Sequence, residues 1–368
     1  MANPGLSDTD CEEALRLVEL HGSITAAADA AGISRTTMQS RVTTARARKS
    51  GMIVTGRSTL TNLQTGEPVM EWVKESLDRQ KAAEAQQAAY EALAAKLPRI
   101  APTVPPRATE GHLCNLYSYF DYHVGMLAWN REGGDDWDLR IAEDSLHSSF
   151  AAVISQAPQA HKAIVCIGGD WVHVDGLLPL TPASKHVLDA DGRFSKIVQV
   201  AIRGIRHLIA QALEKHSEVE LVVMEGNHDE SGSVWLRHML AALYENEPRL
   251  TVNDSELPFY VSRWGDVMIG FHHGHKVKNE QLPLLFAAQF PKMWGDTTKR
   301  AIHCGHRHHV DEKEYNGVTV VQHPTLAARD AYAARGGWIA ERAIQAITYH
   351  SKFGQVGRVY VCPEMLAA

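Results

Sequence analysis

The chain has 368 residues, 45% of them hydrophobic and 22% charged, with a formal net charge of −6. That length calls for two or three folded units, and the composition is that of a soluble globular protein. No apolar run reaches the length of a membrane span, the opening MANPGLSDTDCEEALRLVELHG lacks a secretory layout, and five scattered cysteines without a C-x-x-C pair argue against a disulfide framework or structural zinc. A reducing, cytoplasmic setting is expected.

Residues 7–48 read as a small helical unit. CEEALRLVELHG places Ala14, Leu15, Leu17, Val18 and Leu20 at helical spacing and ends at Gly22. Ser23 then caps a short helix, Gly32 supplies a tight turn, and Ser34 caps a second helix. The pattern is similar to the helix-turn-helix of bacterial regulators. Its second helix would present Arg35, Thr36, Gln39, Ser40, Arg41 and Arg46 to bases and phosphates. From Gly32 to Gly66 there are six basic residues and no acidic one, the footprint of contact with a nucleic-acid backbone. DNA is therefore the expected partner of residues 1–66; a packing module with a solvated basic face is the plainer reading.

Residues 52–70 alternate apolar and polar around Gly56 and Gly66, the pattern of a hairpin or wing. Residues 71–97 are rich in Ala, Glu, Lys and Gln, which predicts a helix with a thin apolar stripe, a spacer or a weak oligomerisation arm. PRIAPTVPPR, 98–107, holds four prolines and reads as a stiff linker. The domain boundaries so drawn are 1–66, 67–107 and 108–368.

From residue 108 onward, strand-like and helix-like runs alternate, an α/β pattern of sheets covered by helices. Strands are predicted at 113–120, 163–167, 219–224, 267–271, 300–304, 317–322 and 357–362, and helices at 141–156, 195–215 and 233–244. This part carries 24 basic and 31 acidic residues, so it has no general attraction for a polyanion.

Five clusters of metal-binding side chains follow five of these strands. Asp121-Tyr122-His123 would hold an ion with both side chains on one side if the segment stays extended. Gly168-Gly169-Asp170 offers a carboxylate able to bridge two cations. In Gly226-Asn227-His228-Asp229, Asn227 adds a neutral oxygen ligand, His228 is free to donate a proton, and Asp229 is a candidate to orient it. In His272-His273-Gly274-His275, His273 is the chosen ligand, His272 is expected to point into the sheet, and His275 to contact substrate or support the ligands. Gly305-His306-Arg307-His308-His309 repeats the alternation, so His306 and His308 can split between two ions. His173 and Asp175 are expected behind the ligands or at the surface, and His323 in a turn or, as the alternative, lining the pocket. Each cluster alone has a plain structural reading. Five in order, with Asp, Asn and His and no Cys, point to two hard or borderline divalent cations and a phosphate ester.

The ordered set Asp-x-His, Gly-Asp, Gly-Asn-His-Asp, His-Gly-His and Gly-His-x-His resembles the calcineurin-like metallophosphoesterase superfamily over roughly residues 110–325. With its helix-turn-helix, the arrangement resembles phage or prophage phosphoesterases, which would place it in a bacterial host's cytoplasm. The resemblance implies a four-layer sandwich, two mixed β-sheets flanked by helices, after the small all-α front domain. It implies one metal on Asp121, His123, Asp170 and His308, and a second on Asp170, Asn227, His273 and His306, with His228 as the proton donor. Mn is the preferred metal, with Fe, Zn, Ni or Mg as alternatives. A phosphodiester is the implied substrate, DNA by preference because of the front domain. The other readings are a cyclic-nucleotide phosphodiesterase and a non-enzymatic DNA-binding regulator. The interval between Asp121 and Asp170 is long, and its acidic stretch WNREGGDDWDLR reads as a lid or a specificity insert.

Overall fold

The computed structural model describes residues 7–49, 52–61, 68–77 and 99–366. They fall into two compact units, which part between the segments 68–77 and 99–366. Among the described residues no helix is long and apolar enough to cross a membrane.

In the first unit, Ser23, Gly32 and Ser34 act as read from the sequence, and Ser7 is a further cap. Ser7 accepts from Asp10 N at the start of α1 (Asp8–His21), which ends at the left-handed Gly22. Ser23 accepts from Ala26 N at the start of α2 (Ile24–Ala31), and Gly32 closes it with φ 65°. Ser34 accepts from Thr37 N at 3.0 Å where α3 (Arg35–Lys49) begins. Ala14, Ala27, Ala28, Met38 and Val42 form the core, and the alanines let three short helices approach closely. After them come β1 (Met52–Thr61) and β2 (Pro68–Leu77), an antiparallel pair that realises the predicted hairpin. The described residues of this unit are thus three helices and a hairpin. Residues 71–77, predicted as helix, are strand: the Ala- and Gln-rich composition that suggested a helix begins only after Lys81. The rest of that helix, 78–97, and the dimerisation role given to it lie outside the described residues.

The second unit begins with a strap. Ile100 N donates to Leu243 O at 3.0 Å, and both the backbone N–H and the hydroxyl of Thr103 donate to the buried Glu247 carboxylate at 2.6 Å. Arg99 pairs with Glu245. The proline-rich stretch is therefore fastened to this unit from Arg99 onward and does not run free to Arg107. A buried carboxylate needs donors, and Thr103 supplies two.

Two sheets follow. One has six strands in the order β13 (Gly354–Val361), β12 (Ile344–His350), β3 (Glu110–Tyr119), β4 (Ala160–Ile167), β5 (Glu218–Val223), β6 (Leu250–Val252). The other has five, in the order β10 (Asp311–Tyr315), β11 (Val318–Gln322), β9 (Lys299–Cys304), β8 (Val267–Phe271), β7 (Tyr260–Trp264). β3 through β6 run parallel, as do β8, β9 and β11, while antiparallel strands close one edge of the larger sheet and both edges of the smaller. The helices α4 (Leu139–Gln156), α5 (Phe194–Lys215) and α6 (Glu230–Leu243) connect the parallel strands, as predicted.

The two-residue period of the strands sorts side chains between layers. Leu116, Ile164, Cys166 and Val222 meet Ile269, Phe271 and Ala301 between the sheets. Their neighbours Tyr117, Tyr119, Val165, Ile167, Leu221 and Val223 face α4, α5 and α6 on the other side. Met268, Ile302 and Val320 face outward from the second sheet onto Leu282 and Phe286 of α7 (Leu282–Gln289). Helices, sheet, sheet and helix make the four layers expected. Both sets of parallel strands deliver their carboxyl ends to loops, where ligands collect in such folds.

Ile164 is wholly enclosed between the sheets. Replacing it with Ala is expected to cost about 2–5 kcal/mol through lost burial and a cavity. Urea unfolding should show this as a lower midpoint at an unchanged slope.

Candidate metal centre

Every predicted ligand lies just beyond the carboxyl end of a parallel strand: Asp121 and His123 after β3, Asp170 after β4, Asn227 after β5, His273 after β8, His306 and His308 after β9. The structure brings them together. Asp121, His123 and His308 form one group, and Asp170, His273 and His306 another, each with its ligand atoms within 4.8 Å of one another.

The backbone at this point is unusual. Among the described residues six non-glycines have positive φ, and five are Asp121, His123, Asp170, His306 and His308, with φ between 50° and 72°. Each such residue costs on the order of 1–3 kcal/mol unless its surroundings hold it. The Asp121 and His123 segment therefore does not stay extended, as alternation had suggested. Consecutive left-handed turns swing both side chains inward, and His306 and His308 repeat the device. Gly226 and Gly305 leave room for it: a Cβ at Gly226 would collide with Asp170 Oδ1, and one at Gly305 would meet Asp121 Oδ2.

The donor set fits a cation. Asp121 Oδ2 accepts from His306 N at 2.7 Å, but Oδ1 is buried with no hydrogen-bond donor. That bare oxygen stands 3.4 Å from His308 Nε2 and 3.7 Å from His273 Nε2. His273 Nδ1 lies 2.9 Å from Gly168 O, which places its proton there and turns Nε2 inward as a lone-pair donor. Asn227 Oδ1 and Asp170 Oδ2 each lie 3.3 Å from that nitrogen. His123 Nε2 and His308 Nε2 face each other at 3.3 Å. Carboxylate and carboxamide oxygens converge with imidazole nitrogens here, an arrangement that positive charge stabilises, whether a proton on His273 or a cation. Asp170 touches His273 directly and acts on His123 through its charge, while Asp121 Oδ1 reaches toward both groups.

The electrostatics follow from burial without cations. Burial opposes charge on His273, yet the Asp170 and Asp121 carboxylates push it up to about 10. Burial also opposes charge on Asp170, and His273, His228 and His123 outweigh it, holding this carboxyl well below its usual range. His308 rises against its burial because Asp121, Asp170 and, further out, Asp330 surround it. His123 falls well below the usual imidazole value through burial and the neighbouring His228, His173 and His308.

Asp229 and His323 stand otherwise than the sequence suggested, and His173 lies behind the ligands as expected. Asp229 does not touch the His228 ring. Its Oδ1 accepts from Gly226 N at 2.9 Å and Asp170 N at 3.1 Å, and its Oδ2 from Trp171 N at 2.7 Å and Val172 N at 3.3 Å. Burial and Asp170 push its pKa up to about 7, against the backbone donors that favour the anion. It ties the loops after β4 and β5 together, and four N–H groups leave it no oxygen for an imidazole. The His228 ring is held instead by the backbone of His173, whose carbonyl lies 2.9 Å from His228 Nδ1. His173 itself is buried, with Nδ1 3.2 Å from His123 Nδ1, and its ring groups with those of His123 and His228. The sole hint in the sequence was its place three residues after Asp170. His323 is not a turn residue: it stacks on Phe120 and continues a buried chain from Ser118 through His303 to Tyr349.

The remaining histidines are plainer. His272 is buried with Nδ1 2.9 Å from Pro258 O, facing away from the ligands as expected. His275 is partly buried beside His273, with both ring nitrogens lacking a partner. His309 is exposed and turns onto Arg307 O. Asp175 accepts from Ser231 N and Gly232 N at the start of α6. The acidic insert is packed down at its far end, where Trp137 is fully buried and Asp138 caps α4. Most of residues 129–136, and Arg140 at the other end, reach solvent.

On α3 of the first unit, Arg35 and Thr36 are exposed, and Gln39 and Ser40 are partly buried. The Gln39 amide contacts Thr43 Oγ1 at 3.4 Å, and Arg41 pairs with Asp10 of α1 at 3.2 Å. Arg41 is therefore already engaged within the unit. The Arg46 side chain lies outside the described residues.

No family model and no curated protein matches the chain. Among solved structures it is similar to an archaeal phosphodiesterase, at 13% identity over 68% of this chain and 99% of that one, with a TM-score of 0.34. It is similar to Vps29 from Entamoeba histolytica complexed with zinc, at 13% identity over 68% and 98%, TM-score 0.28. A putative 5′-nucleotidase from Staphylococcus aureus shares 11% identity over 68% of this chain and 54% of its own, TM-score 0.31. All three likenesses are distant.

With a pKa raised to about 10, His273 is protonated at pH 7 in the metal-free protein. A cation needs the Nε2 lone pair, so loading expels a proton, and affinity should rise with pH until this imidazole titrates. Titrating Mn²⁺ into chelator-stripped protein at pH 7, in two buffers of different ionisation heat, should give heats that differ by at least one released proton. Equal heats would contradict the protonation state.

Proposed function

We propose that the second unit is a metal-dependent phosphoesterase acting on a phosphodiester, with DNA as the preferred substrate class. The observation that carries this reading is the buried, donorless Asp121 Oδ1 at the meeting point of two His/Asp groups. A carboxylate oxygen so placed is costly without a positive partner. Two divalent cations, when bound, would polarise the phosphate and lower the pKa of a water molecule. The donor set suits Mn best, and Fe, Zn, Ni or Mg fit the same oxygens and imidazoles.

The chain's own residues divide the remaining work. Asp121, His123 and His308 would hold one cation; Asn227, His273 and His306 the other, with Asp170 shared between them. His228 keeps Nδ1 on the His173 carbonyl, so a second proton on its Nε2 is available to the departing alkoxide. Its backbone N–H donates to Asp170 Oδ1 at 2.8 Å, which fixes the donor's position relative to a ligand. Asp229 holds both loops and moves no proton.

We further infer that the first unit binds DNA through α3. The capped helix-turn-helix with Arg35 and Thr36 exposed at the start of its second helix supports this. A phage or prophage setting agrees with the pairing of such a unit with a phosphoesterase. A cyclic-nucleotide substrate would suit the acidic second unit, and a regulator without activity is the remaining reading. Assaying the Mn²⁺-loaded protein on linear, circular and single-stranded DNA and on cyclic nucleotides separates all three.

His228→Ala is expected to slow cleavage of a dinucleotide by about 10²–10⁴-fold. The loss should be smaller for bis(p-nitrophenyl) phosphate, whose nitrophenolate departs without a proton, and the Mn²⁺ content should be unchanged. Undiminished cleavage of the dinucleotide would remove His228 from the donor role. For the first unit, a gel shift of the full chain on duplex DNA should weaken steeply with added salt and with Arg35→Ala. Absence of any shift at low salt would leave α1 to α3 as a packing module.

A further inference from the structure

Past the end of β11 the chain stays fastened to the centre. The Thr325 hydroxyl donates to the Asp121 carbonyl at 2.6 Å. Asp330, whose charge reaches His308, caps the one-turn helix Ala331–Arg335 by accepting from Ala333 N at 2.8 Å. Two glycines then turn the chain back and present Trp338.

The backbone of Trp338 is held firmly and its indole is open. Trp338 N donates to Ala333 O at 3.1 Å, and Arg329 Nη1 donates to Trp338 O at 3.4 Å. The ring lies flat over Gly336, where any Cβ would come within 3.0 Å of it. Tyr332 meets it edge-on, with centroids 5.2 Å apart and planes at 64°. Despite this support Trp338 is 57% exposed and Tyr332 62% exposed. Two adjoining bare aromatics, on a segment tied to Asp121 through Thr325 and to His308 through the charge of Asp330, make an apolar surface that a ligand could cover.

The charges around the pair cancel. Arg335 meets Glu132 at 3.0 Å, and Arg342 meets Asp135 at 2.8 Å. Such a surface has little pull on phosphate and offers flat apolar area instead.

We infer that Trp338, edged by Tyr332, is a stacking platform for the nucleobase of a nucleoside phosphodiester whose phosphate sits at the metal centre. The inference rests on the phosphoesterase reading and names the substrate's aromatic part as what this surface selects. A base has a π-face whatever its identity, so the platform favours nucleosides over aliphatic esters without reading sequence.

The test compares thymidine 5′-(p-nitrophenyl phosphate) with methyl p-nitrophenyl phosphate on the Mn²⁺-loaded full chain. Both release the same nitrophenolate, and only one carries a base. The ratio of their kcat/KM values should favour the nucleoside in the native protein. It should fall by about 5- to 100-fold in Trp338→Ala, the range that loss of one stacked base gives, and be largely kept in Trp338→Phe. An unchanged ratio in Trp338→Ala, or an equal loss in Trp338→Phe, overturns the platform. Binding of thymidine 5′-monophosphate and of ribose 5-phosphate, followed calorimetrically, gives a second readout independent of turnover. If neither ester is cleaved but Trp338→Ala weakens only the nucleotide, the hydrolase reading fails and the platform stands.

Discussion

The second unit is organised around two buried carboxylates, Asp121 and Asp170, that have too few protein donors to remain there alone. Removing charge from water is expensive, and the expense is met only by opposite charge or complete hydrogen bonding. Here the protein supplies partial answers: one backbone N–H to each carboxylate, and histidines whose nitrogens lie at 3.3–3.7 Å. Those separations leave space between the groups. The left-handed turns and the glycines beneath them make sense as devices that keep this space open. Five strained residues converging on one pocket are hard to explain as packing, because apolar contacts reward relaxed backbone just as well.

Much of this was legible because the fold's own periods expose it. A strand covered by helices on one side and a second sheet on the other is apolar throughout, and ends where polar loop residues begin. That is why β3, β4, β5, β8, β9 and β11 could be read from Val, Ile and Leu runs, and why the clusters stood out after them. β12 escaped although it lies next to β3 inside the larger sheet. Its IQAITYH carries Gln345 and Thr348 at buried positions, where Thr348 donates to Asn115 across the strands. A buried polar residue such as Thr348, satisfied by a distant partner, looks like surface in a sequence. The hairpin's second strand escaped for a different reason, since a window averaged over 71–97 takes its character from the alanines beyond residue 81.

The site shows the same boundary between what is local and what is not. Ligand identity followed from residue type and order. The roles of Asp229, His173 and His323 depended on which backbone groups the fold brings opposite them, and no spacing encodes that. His173 is the clearest case: its ring joins His123 while its carbonyl steers His228, so one residue serves two neighbours through two different groups. His323 and His303 form a polar thread through the apolar layer behind the ligands, with Phe120 stacked against it. A thread of that kind fixes which register the two sheets adopt, because a shift would leave imidazole nitrogens without partners.

Asp229 then explains why Gly-Asn-His-Asp must end in a carboxylate. An oxygen pair that gathers N–H groups from Gly226, Asp170, Trp171 and Val172 joins the loop carrying one ligand to the loop carrying the next. Asp170 and Asn227 consequently move as one body, and His228 moves with them. Rigid coupling matters more here than it would for ordinary binding, because a proton donor helps only when it lies within hydrogen-bond reach of the leaving oxygen. The adjacent Asp170 charge makes the anionic form of Asp229 costly, and positive charge among the ligands would relieve that cost. Cation binding and the loop clamp therefore strengthen each other: the clamp sets the ligands, and the ions stabilise the charge that the clamp needs.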